Sequence, residues 1–101
     1  MIFDFPFTDS AEAKKRPALV AANTKGDNLI LCRITSRFRP DPYLIDLPEN
    51  AFQAGNLQLH SYIMPEVLFT IHKSLISYKV GKVTDSKVKQ VQNKLIEIFS
   101  A

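Results

Sequence analysis

A guanidinium and two hydroxyls give this sequence its clearest chemical opportunity. Arg16 stands at the start of one short apolar run, Lys15-Arg16-Pro17-Ala18-Leu19-Val20-Ala21-Ala22-Asn23. Thr35 and Ser36 close the next, Asn28-Leu29-Ile30-Leu31-Cys32-Arg33-Ile34-Thr35-Ser36-Arg37. Arginine offers a planar fork of donors that stays charged at any ordinary pH, and its bonds to phosphate are charge-assisted. An arginine and two hydroxyls on one rim suit a phosphoryl group. RNA fits such a site because its 2′-hydroxyl is a nucleophile already beside the phosphorus. The protein need only align that oxygen and stabilise charge on the phosphoryl oxygens. Arginine is a poor base, so proton transfer falls to Glu66 or His60, whose acidity is better matched to it.

The elements that must hold these groups are strands. Thr24, Lys25, Gly26 and Asp27 separate the two runs and have tight-turn composition, so the runs are expected to pair antiparallel. That pairing brings Arg16 near Thr35 and Ser36. Residues 1–7 read as a short first strand disturbed by Pro6, and 8–15 as a polar loop. The basic cluster Lys14-Lys15-Arg16 ends that loop and reads either as a solvated turn or as a phosphate contact. Pro40 and Pro42 make the stretch after Arg37 irregular. Tyr43–Leu47 is a short strand, and Pro48–Gly55 a turn with one helical turn closed by Gly55. Leu57–Ile63 alternates, with Leu57, Leu59, Ser61 and Ile63 on one face. Met64-Pro65-Glu66 is expected to break that strand before Val67–Ile71 resumes. His72–Ile76 is a short helical turn, and Ser77–Val83 a last strand with basic residues outward. Thr84 caps a terminal helix whose stripe Val88, Val91, Leu95 and Ile98 must pack. Short strands and one amphipathic helix imply a mainly β (α+β) domain, a small curved sheet or barrel with an appended helix.

Bulk properties narrow the function. One hundred and one residues suffice for one domain with one core. A net charge of +3 permits a nucleic-acid partner without requiring one. No apolar stretch approaches a membrane span and the start lacks the regions of a secretory leader, so a cytoplasmic protein is expected. The single cysteine, Cys32, cannot form an internal disulfide and reads as a core residue. His60 and His72 are isolated and glycine occurs only three times, so neither a metal cluster nor a glycine-rich phosphate loop is expected, and no cofactor.

Five stretches then resemble, in order and spacing, the PemK/MazF family of toxin endoribonucleases. They are Phe5-Pro6-Phe7-Thr8-Asp9, Lys15-Arg16-Pro17-Ala18-Leu19-Val20, Ile30-Leu31-Cys32-Arg33-Ile34-Thr35-Ser36, Ser61-Tyr62-Ile63-Met64-Pro65 and Leu68-Phe69-Thr70-Ile71-His72-Lys73-Ser74-Leu75-Ile76. Val80-Gly81-Lys82-Val83-Thr84-Asp85 before an amphipathic helix is similar too. The resemblance covers nearly the whole chain. It implies one toxin domain over 1–101 with a shortened first strand, an SH3-like barrel of the MazF/CcdB type, and a homodimer. It implies metal-independent cleavage of single-stranded RNA (mRNA), leaving 2′,3′-cyclic phosphate and 5′-hydroxyl ends. A cognate antitoxin would cover the RNA groove with a disordered acidic segment. Arg16 matches the family's catalytic arginine and Thr35 its partner, with Glu66 as the nearby acid. Lys14, Lys15, Ser36, Arg37 and Ser61 fall where RNA would be held. Relatives often carry arginine where this chain has Met64. A second reading is therefore a non-cleaving module of the same fold that binds antitoxin or gyrase. A third is nonspecific RNA binding through Lys14, Lys15, Arg16, Arg33, Arg37 and Arg39.

Overall fold

The structure, a computed structural model, describes residues 1–6, 15–57, 59–76 and 78–101. The expected loop over 8–15, with Lys14, lies almost wholly outside the described residues. Seven antiparallel strands form one sheet: β1 (Ile2–Pro6), β2 (Lys15–Asn23), β3 (Asn28–Thr35), β4 (Ile45–Leu47), β5 (Phe52–Gly55), β6 (Ser61–His72) and β7 (Tyr78–Val83). Their order across the sheet is β4-β6-β3-β2-β1-β7-β5. The two edge strands, β4 and β5, follow each other in the chain, joined only by Pro48 and a 3₁₀ turn at Glu49–Ala51. A connection that short, at roughly 3.5 Å per residue at most, forces the two edges of the sheet toward each other. The result is a half-barrel rather than a flat sheet.

The inward face is apolar because strand alternation demands it. Ile2, Leu19, Cys32, Ile34, Ile45, Leu47 and Ile63 form the main core. Helix α1 (Asp85–Phe99) seals it with Val91, which is buried, and with the partly buried Val88 and Leu95. The Thr84 hydroxyl accepts from the Lys87 N–H at 3.3 Å and caps the helix as its sequence predicts. A second cluster, Ala18, Leu29 and Leu31 with Val20, Phe69, Ile71 and Ile76 around it, lies apart from the main core. Among the described residues no helix is long and apolar enough to cross a membrane.

Three expectations are corrected. Met64-Pro65-Glu66 does not end a strand: β6 runs unbroken from Ser61 to His72. The pairing jumps from Arg33↔Met64 to Cys32↔Leu68, so Pro65, Glu66 and Val67 bulge out of the ladder. A bulge is where a sheet tolerates a proline, since no ladder hydrogen bond is asked of it. Gly55 does not close a helical turn; it ends edge strand β5, paired with Gly81. Leu57, Leu59 and His60 lie outside the strands, and Leu59 is 67% exposed rather than aligned with the buried Ser61 and Ile63.

Cys32 is fully enclosed, and burial, reinforced by the nearby Glu66 carboxylate, pushes its thiol from 9.0 up to about 12. A pKa raised on folding favours the native state fully below the unfolded value, and that advantage is lost as pH climbs from 9 toward 12. The native protein is therefore expected to resist iodoacetamide at pH 8, whereas the urea-unfolded chain labels stoichiometrically. Labelling of the native form at the unfolded rate, read by mass spectrometry, would contradict this placement.

Candidate phosphate-binding cleft

The strand polarity gathers the candidate residues at one rim. β1 and β3 end there, while β2, β6 and β7 begin there. A cleft of about 890 Å³ opens at this rim, lined by Asp4, Arg16, Pro17, Arg33, Ile34, Thr35, Ser36, Arg37, Arg39, Asn56, Leu57, Leu59, Ser61, Lys79 and Val80. Arg16 and Thr35 thus share one wall, as the β2–β3 register Ala18↔Arg33 requires when continued by two residues. Five cations and one carboxylate line the space, an imbalance that concentrates positive potential where a polyanion would lie.

The hydroxyls are not equivalent. Thr35 Oγ1 accepts from the Arg37 N–H at 3.1 Å, so a lone pair is occupied and its proton remains available to a ligand. The buried Ser61 donates its own proton to the Leu59 carbonyl at 2.9 Å. Ser61 therefore offers the cleft an acceptor, which suits a base N–H or a 2′-hydroxyl better than a phosphoryl oxygen. Ser36 and Arg37 are exposed on the same rim. Lys15 begins β2 beside Arg16, and Lys14 lies outside the described residues.

Glu66 is not among the cleft's lining residues. It sits in the β6 bulge with both carboxylate oxygens shut off from solvent and without a hydrogen-bond partner. Burial, and then the charge of Asp41, raise its pKa; its own backbone N–H pulls weakly the other way without completing a hydrogen bond. His60 is held against the Asp46 carboxylate and is likewise outside the cleft lining. Sequence reasoning missed Asp4, Asn56 and Lys79 as cleft residues. They arrive from β1, the β5 end and β7, which meet only through the sheet order. Among the described residues no three His, Cys, Asp or Glu side chains group where a metal ion could sit.

No curated protein matches the chain in sequence. Solved structures match it in fold. The MazE–MazF complex of Deinococcus radiodurans (crystal form III) gives a TM-score of 0.76 at 20% identity, over 98% of this chain and 92% of that one. Mycobacterium tuberculosis toxin MazF-mt6 gives 0.74 at 15% identity, over 99% and 97%. An endoribonuclease in complex with its cognate antitoxin, from a mycobacterial species, gives 0.71 at 15%, over 98% and 90%. The sequence that folds into this half-barrel is also matched along residues 1–99 by one family model, and the chain accordingly belongs to the PemK-like, MazF-like toxins of type II toxin–antitoxin systems.

Proposed function

We propose that this toxin is a metal-independent endoribonuclease acting on single-stranded RNA in the cytoplasm. The observation that carries the reading is that Arg16 and Thr35 line one cleft whose charged side chains are almost all cationic. In the proposed reaction the 2′-oxygen attacks phosphorus and loses its proton to a base. The bond to the 5′-oxygen breaks, and that oxygen takes a proton. A 2′,3′-cyclic phosphate and a 5′-hydroxyl result. Arg16 neutralises charge building on the phosphoryl oxygens, and the Thr35 hydroxyl donates to the same oxygens. Ser36, Arg37 and Lys15, with Lys14 ahead of them, track the backbone, while Ser61 accepts from a sugar or base. Cleavage of a mixed-sequence RNA in EDTA, with cyclic phosphate ends by mass spectrometry, tests this. Intact RNA beside well-folded protein would leave the non-cleaving, antitoxin-binding reading.

Two carboxylates compete for the proton step. Asp4 lines the cleft, whereas the enclosed Glu66 carboxylate would have to leave its place in the bulge to act. Asp4→Asn is therefore expected to slow cleavage by about 10²-fold or more, and Glu66→Gln to cost much less. Glu66→Gln should also raise the melting temperature at pH 7. A carboxyl whose pKa is raised on folding favours the native state below its unfolded value, and the favour is lost as pH rises through the folded one. The gain from the variant should accordingly shrink on acidification toward pH 4. A larger activity loss for Glu66→Gln than for Asp4→Asn would move the proton step to the bulge.

The same charge imbalance suits a cognate antitoxin whose acidic segment lies along the cleft. A homodimer is proposed through the cluster around Leu29 and Leu31, where Phe69, Ile71 and Ile76 remain only partly covered.

A further inference from the structure

Beside the cationic cleft lies a second pocket of about 560 Å³, of a different character. Phe38, Tyr62, Asp41 and Asp46 line it, and Arg39 lines both this pocket and the cleft. Thr35, Tyr62 and Asp46 are register partners across β3, β6 and β4, so their side chains rise in a row from one face of the sheet. Tyr62 therefore stands one strand, about 5 Å, from the Thr35 assigned to the phosphate. Its ring contacts that of Phe38, centroids 5.6 Å apart at 61°, and that of His60, 5.1 Å apart at 44°. Phe38 is itself 69% exposed, so much of its ring is turned to solvent.

The two carboxylates decide what this pocket can take. Asp41 Oδ1 accepts from the Tyr43 N–H at 2.8 Å, and Asp46 Oδ1 is held by His60 Nε2. Each carboxylate is thus oriented by a fixed donor, with accepting capacity left over. Carboxylates repel a phosphate but accept from N–H groups, so the pocket suits a base while the backbone stays on the cations. We propose that this pocket receives a nucleobase, guanine by preference, next to the phosphate held in the Arg16 cleft. The inference rests on reading the cleft as an RNA groove. Guanine presents two adjacent N–H donors on one edge, which two carboxylates can accept. Uracil presents one N–H flanked by two carbonyls, which carboxylates repel. Stacking on the exposed Phe38 ring supplies the affinity, with Tyr62 meeting the base at an angle, and Arg39 spans the step from base to backbone.

Strands that this chemistry cannot cut separate base binding from cleavage. Fluorescence anisotropy would compare eight-nucleotide deoxyuridine strands with and without one central deoxyguanosine, which lack the 2′-hydroxyl. The guanine strand is expected to bind about tenfold tighter. Phe38→Ala should remove most of that gain, since stacking accounts for an effect of that order. Asp41→Asn, which keeps an oxygen to accept from Tyr43, should erase the discrimination. Phe38 is exposed, so its variant is expected to fold, and circular dichroism confirms that. Guanine-dependent binding in a protein that cuts no RNA would keep the pocket and overturn the nuclease. Equal binding of both strands, or discrimination unmoved by either variant, would overturn the pocket even if cleavage is robust. Absence of any binding to either strand would overturn both.

Discussion

Arg16→Ala is expected to lower the rate of RNA cleavage by about 10³-fold while leaving the unfolding midpoint nearly unchanged. The two halves of that statement have separate causes. Arg16 is exposed at the rim and contributes nothing to either apolar cluster, so its truncation removes no core contact. Exposed substitutions of that kind usually shift stability by no more than about 0.5 kcal/mol. Its effect on rate is large because phosphoryl transfer leaves the protein little to do except position the groups and neutralise developing charge. One arginine aimed at those oxygens is worth on the order of 10³-fold or more. Arg16→Lys restores the charge but not the planar two-pronged donor, and should recover only part of the loss. Single-turnover rates with a defined RNA, alongside a urea melt, measure both quantities. A variant with wild-type rate would remove Arg16 from the chemistry. One that also unfolds would show that the rim strand needs the side chain for another reason.

Local signals were enough for part of this design. The β2–β3 hairpin is written in two apolar runs around Thr24-Lys25-Gly26-Asp27, and its register alone sets Arg16 against Thr35. The helix is equally plain, because Thr84 and the Val88-Val91-Leu95 stripe report a cap and a buried face. What failed were places where long-range pairing overrides a local breaker. Pro65 reads as the end of a strand, yet it is buried in a bulge that carries β6 onward. Asp4 and Lys79 gave no local sign of belonging to a cleft. They stand beside Arg16 because β1 lies between β2 and β7, an adjacency that no spacing along the chain encodes. Glu66 shows the opposite failure: it is near the family's motif in sequence, while the bulge it sits in turns its carboxylate away from solvent. The cations and hydroxyls of the β2–β3 hairpin were legible through their own strands, whereas Lys79 and the carboxylate proposed for the proton step depended on the whole sheet.

Gly55→Ala is expected to destabilise the protein by about 3 kcal/mol and to cut cleavage well beyond what the lost stability explains. Gly55 has φ +68°, the left-handed region that residues with a Cβ avoid. A Cβ built there would lie 2.4 Å from the Val80 carbonyl oxygen and 3.0 Å from Gly81 Cα, both backbone atoms that cannot swing aside. Strain and collision therefore act together, and either β5 must detach from β7 or β7 must shift. β5 is an edge strand, so detachment is the cheaper response and the rest of the barrel should stay folded. The cleft would feel it at once: Asn56 and Leu57 follow Gly55 directly, and Lys79 and Val80 lie on the strand that β5 covers. Thermal unfolding should show a lower midpoint with a still cooperative transition, and hydrogen exchange should rise first in residues 52–57. At a temperature where the variant is fully folded, its cleavage rate should still fall. Wild-type stability and rate in Gly55→Ala would mean that this crossing of β5 and β7 does not shape the cleft wall.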